Sequence, residues 1–146
     1  MRIPVTRETR HVTEAHLRTA IHPLRPDIPV GAITIEADDE GLMSAQIYGV
    51  EQALERSGEP LCREVVDRFV RWRATYDADE LAALLATIRI IMPKAGVPIA
   101  PESLKLVELP DSVLVLTYND RPVAASEDPL HLLTQAMLRL RAMRKQ

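Results

Sequence analysis

Leu104-Lys105-Leu106-Val107-Glu108-Leu109-Pro110-Asp111-Ser112-Val113-Leu114-Val115-Leu116-Thr117-Tyr118-Asn119-Asp120-Arg121-Pro122-Val123-Ala124-Ala125 is the stretch on which the fold turns. It reads as a β-meander. Leu104–Leu109 is one strand, Pro110-Asp111 a turn, and Val113–Tyr118 a second strand rich in β-branched and aromatic residues. Asn119-Asp120 suits a tight turn into a third strand over Pro122–Ala125. Pro122 has no amide to give a ladder, so this third strand belongs at an edge.

Downstream, Ser126 or Asp128 caps a final helix with Pro129 in its first turn. Leu130, Leu133, Met137 and Leu140 form its apolar stripe, and Leu132 and Leu138 widen that stripe beyond what one buried face needs. Upstream, Asp77 opens a helix with Glu80 three residues on, a capping-box spacing. Leu81, Leu84, Leu85, Ile88 and Met92 line its core side, and Pro93 and Gly96 end it. Before that, Ser57-Gly58-Glu59-Pro60 stops one helix and starts another, whose buried face is Leu61, Val65, Val66, Phe69 and Val70.

Further upstream, Ala32–Glu36 reads as a strand and Asp38-Asp39-Glu40-Gly41 as a turn. Leu42–Tyr48 is open between strand and helix. Met43, Ile47, Val50 and Leu54 fall at helical spacing, which favours helix for the later half, to about Arg56. The prolines of residues 22–29 make a stiff connector. Thr13 caps a short helix from Glu14 to Ile21, behind a polar arm over residues 1–11. Strands and helices are segregated, so the expected class is α+β: an antiparallel sheet of three to five strands against four to five helices. No internal repeat of 20 to 50 residues is visible.

The 146 residues fit one domain, and 47% hydrophobic content supplies a core without disulfide or metal support. Cys62 is the only cysteine, which points to a reducing compartment. With no apolar run long enough to span a bilayer, a cytoplasmic protein is expected and a membrane role is not. Net charge −3 and 3% aromatic content make nucleic-acid binding a weak reading.

No constellation announces catalysis. His11, His16 and His22 are spaced five and six apart, not the four that places two ligands on one helix face. The acidic run Glu36, Asp38, Asp39, Glu40 fails the EF-hand pattern, because position twelve from Asp38 is Gly49. Cys62 sits in a helix's first turn without a catalytic motif, and Ser126 lacks the glycines of a nucleophile elbow. No cofactor and no metal site is therefore expected.

Two surfaces remain. Arg68, Arg71 and Arg73 surround Trp72, a combination that anchors protein partners. The terminal helix offers Leu132, Leu138 and Arg141, with Arg139, Arg144 and Lys145 completing a basic end. Its wide apolar surface leaves room for a second subunit, so a homodimer is among the expectations. The chain reads as a non-catalytic protein-interaction module: an adaptor, specialised chaperone, or inhibitor or immunity protein. The alternatives are a small enzyme using Asp38, Asp39 or Glu40 with a histidine, and a nucleic-acid-binding regulator. In size and outline, a small mildly acidic α+β chain ending in an amphipathic helix resembles bacterial secretion chaperones and immunity proteins. That likeness transfers no residue roles.

Overall fold

The computed structural model describes residues 7–144. They form an α+β protein with two compact units, Met1–Trp72 and Arg73–Gln146. The first unit runs α1 (Arg7–Ile21), β1 (Ile33–Ala37), β2 (Met43–Ile47), β3 (Val50–Glu55) and α2 (Gly58–Arg71). The second runs α3 (Ala78–Lys94), β4 (Leu104–Leu109), β5 (Val113–Tyr118), β6 (Arg121–Ser126) and α4 (Pro129–Arg144). Each contains one three-stranded antiparallel sheet, ordered β1-β2-β3 and β4-β5-β6.

The meander stands as read from the sequence. Asn119 and Asp120 take positive φ in the tight turn, at 52° and 64°. Pro122 lies on β6, at the edge of its sheet beside β5. Asp77 and Glu80 complete the capping box of α3.

Three expectations change. Residues 50–55 are strand rather than helix. The apolar positions Met43, Ala45 and Ile47 alternate and are buried, and Tyr48-Gly49 makes a tight turn with φ of 54° and 80°. Gly58 is accordingly the first residue of α2, not the residue past a helix end, because a strand precedes it. Helix α1 begins at Arg7, so residues 7–11 of the expected arm are helical and Thr13 is buried mid-helix rather than capping. The arm's residues 1–6 lie outside the described residues.

The two units repeat one plan. Counterparts stand 71 positions apart: Ile33 and Leu104 open the first strands, Val50 and Arg121 the third, Gly58 and Pro129 the last helices. The repeat extends to details. Tyr48 N donates to Ala32 O and Asn119 N to Ser103 O, each closing its hairpin. The strand register slips between Ala45 and Gln46 in one unit and between Leu116 and Thr117 in the other. Arg18 donates to Ile33 O at 2.9 Å, and Arg89 donates to Leu104 O at 2.7 Å.

The core follows the same plan. In the first unit Ile33, Ile35, Met43, Ala45, Ile47 and Ala53 are buried on the sheet, and Leu17, Ile21, Leu61, Val65 and Phe69 on the helices that pack on it. In the second unit Ile88, Met92, Leu104, Leu114, Leu116, Ala124, Leu132, Ala136 and Leu140 belong to one buried cluster. The faces opposite the helices differ. Glu36, Ser44, Gln46 and Glu51 make most of the first unit's face polar, tied by Ser44 Oγ donating to Glu51 at 2.8 Å, with the exposed Leu54 opposite Ser44. Val107, Leu109 and Val115 make the second unit's face apolar, and Leu109 and Val115 are fully buried.

Candidate protein-interaction surface

The arginine cluster around Trp72 is occupied from within. Trp72 is half-buried, and the guanidinium over its ring belongs to Arg25, 5.6 Å from the centroid and 5.8 Å from that of Phe69. Arg25 is itself held by Asp27 through two hydrogen bonds, Nε to Oδ1 at 2.9 Å and Nη2 to Oδ2 at 2.8 Å. That pairing holds the Asp27 carboxyl below its usual value, mainly through the hydrogen bond and against the opposing effect of burial. Arg68 donates to Gln52 O and ties α2 to β3. Only Arg71 and Arg73 stay exposed, and Arg73 belongs to the second unit. The aromatic–arginine pairing that the sequence suggests does exist, but its arginine comes from the proline-rich connector. A contact between positions 25 and 72 leaves no local signature.

The sheet edges are also engaged. The outward amide of Ile35 on β1 donates to Glu14 Oε2 at 2.9 Å, and Arg18 takes the Ile33 carbonyl. On β6 the Ala125 amide donates to Gln135 of α4 at 3.4 Å. Side chains reaching from the helices thus satisfy groups that an added strand would need.

The acidic run builds a turn. Asp38 Oδ1 accepts from the amides of Glu40 and Leu42, both at 2.9 Å, while Asp39 and Glu40 are exposed. His11, His16 and His22 are exposed along or just after α1. Among the described residues no three His, Cys, Asp or Glu side chains group as metal ligands. Cys62 is half-buried, with its sulfur 3.8 Å from Thr13 O, and burial pushes its thiol up from the ordinary value. Ser126 accepts from the Asp128 amide and meets His131 Nδ1 at 3.0 Å, and Asp128 Oδ1 accepts from the Leu130 amide. Of the two caps expected, Asp128 is the one that accepts an amide of α4, while Ser126 holds the turn before it. No helix among the described residues is long and apolar enough to cross a membrane.

Helix α4 is different. Its buried line is Leu132, Ala136 and Leu140. Leu132, expected at the surface, is fully buried and belongs to the core. Leu133 and Met137 flank that line half-buried, and the apolar arc continues onto the outside of the helix. There Leu130 is 71% and Leu138 63% exposed. Leu130, expected in the core stripe, points outward because the helix turns Leu132 inward instead. Arg139 and Arg141 are exposed near the end of the helix, and Arg141 Nη2 donates to Ala95 O at 2.7 Å. Lys145 lies outside the described residues.

The repeat supplies an internal control. The positions of α2 that match Leu130, Thr134, Gln135 and Leu138 are Glu59, Arg63, Glu64 and Asp67, all exposed. One backbone plan therefore carries charges at these places in the first unit and leucines at two of them in the second. The fold itself does not require apolar residues there.

Comparison with protein-family models, with curated proteins and with solved structures finds no match.

Proposed function

We propose that this chain is a non-catalytic protein-interaction module that binds through the outer face of α4. The observation that carries the reading is the exposure of Leu130 and Leu138 where the matching positions of α2 hold Glu59 and Asp67. Burying a leucine side chain is worth about 1.5–3 kcal/mol, so two such residues held in water are a reserve of binding energy. The other surfaces noted in the sequence support the reading by elimination. Trp72 is covered by Arg25, and the outward amides of Ile35 and Ala125 meet helix side chains.

The test is native mass spectrometry of the protein gently purified from its own host, wild type beside Leu138→Glu. The expected spectrum of the wild type holds more than one polypeptide, and that of Leu138→Glu only the bare chain. A wild type that appears as the bare chain alone, or a complex that Leu138→Glu leaves intact, contradicts the proposal.

A further inference from the structure

The geometry points to a second copy of this chain as the partner, with α4 pairing antiparallel to its mate about a two-fold axis at Thr134. This rests on the reading of α4 as the binding face and names its occupant.

Leu130 and Leu138 lie four residues before and four after Thr134, on successive turns of one side of the helix. Antiparallel pairing about Thr134 sets Leu130 against the mate's Leu138, and by symmetry does so twice. A two-fold contact requires such self-complementarity. Thr134 between them is short and exposed, and lets the two helices approach.

The charges at the two ends of the helix suit the same antiparallel arrangement. Glu127 lies in the bend just before α4 and Arg141 in its last turn, and both are exposed. Antiparallel pairing therefore brings the acidic start of each α4 near the basic end of its mate, Glu127 toward Arg141. Asp128 and Arg139 add the same signs at the same ends. Parallel pairing would set arginine beside arginine. Antiparallel pairing also sets the positive end of each helix dipole beside the negative end of the other. The bond from Arg141 Nη2 to Ala95 O steadies the guanidinium and leaves its other donors for a carboxylate. The half-buried Leu133 and Met137 extend the apolar contact. A single helix pair is small beside the roughly 1,600 Å² of a standard interface, so the dimer is expected to form in the micromolar range.

The test is sedimentation of the purified full chain, alone, from micromolar to millimolar concentration. The wild type is expected to pass from monomer to dimer. Leu138→Glu is expected to weaken dimerisation about 30-fold or more, with an unchanged circular dichroism spectrum because the side chain is exposed. Glu127→Arg and Arg141→Glu are each expected to weaken it, most at low salt. Combined on one chain they are expected to restore it, since every cross-contact is then reversed. A wild type that stays monomeric, a dimer indifferent to Leu138→Glu, or a double reversal no better than the single ones overturns the proposal. A monomeric purified chain together with a host complex that Leu138→Glu dissolves would overturn the second copy and leave the interaction reading standing. Loss of both would end both.

Discussion

Gly58 opens α2 at a point where any larger residue collides with α1. A Cβ built there would stand 2.5 Å from Thr13 Oγ1 and 3.1 Å from its Cγ2. Alanine ordinarily favours a helix over glycine by about 1 kcal/mol, but crowding in a packed interior costs about 1–3 kcal/mol. Gly58→Ala is therefore expected to lower stability by about 1 kcal/mol in urea unfolding. Adding Thr13→Ala should recover part of that loss, a coupling that a thermodynamic cycle measures. Glu64 sits beside Glu55, and a hydrogen bond between the two carboxyls, more than burial, raises the Glu64 pKa above its ordinary value. A raised pKa means that the contribution is present at acid pH, below the unfolded value, and is lost as pH rises through the folded one. Glu64→Gln keeps a donor without needing the proton. It is expected to raise the melting temperature at neutral pH and to leave it unchanged in acid. At this scale the sequence is legible where the signal is local: Asp77 and Glu80 declare their capping box three residues apart. The stacking of Arg25 on Trp72 was not legible, because folding alone brings those positions together.

Between residue and whole, the elements show which patterns survive ambiguity. Residues 43–55 carry apolar residues at both period two and helical spacing. The strand prevails because Ser44 and Gln46 alternate with the buried Met43, Ala45 and Ile47, and because Gly49 accepts a positive φ at the turn. In α4 the helical period is right and its phase is shifted: Leu132 goes inward and Leu130 outward. An apolar arc wider than the core face has no unique phase in sequence, and the sheet beneath decides. Helix α1 guards an edge. Glu14 accepts the Ile35 amide with one oxygen and meets Arg18 with the other, at 3.2 Å. Glu14→Ala strips a half-buried strand amide of its acceptor and is expected to cost about 1–3 kcal/mol, read from the shift in urea midpoint. In the second unit Leu85 stands at the matching place and has no acceptor to offer, so the same experiment at Leu85 should leave the β4 edge bonding unchanged.

Across the whole molecule the organising fact is the repeat of helix, three-stranded meander and helix at a spacing of 71 positions. The spacing exceeds the 20- to 50-residue window in which repeats are usually sought, and few identities mark it, among them Arg18 with Arg89 and Leu61 with Leu132. What the two halves share is which positions are apolar: Leu17 with Ile88, Ile33 with Leu104, Phe69 with Leu140. A core tolerates exchange among hydrophobic residues of similar volume, so the plan persists while the letters change. The α+β class was legible because strands and helices each declare their period. The duplication was not, because its signal is burial. An exposed leucine means little alone and much beside an aspartate in the same setting, as Leu138 does beside Asp67. A photo-crosslinking amino acid placed in host cells at position 138, and separately at the matching position 67, reports whether α4 meets a polypeptide. A specific adduct at 138 and none at 67 is the expected result. Equal yields at both, or no adduct at 138, would contradict the assignment of α4 as the binding face.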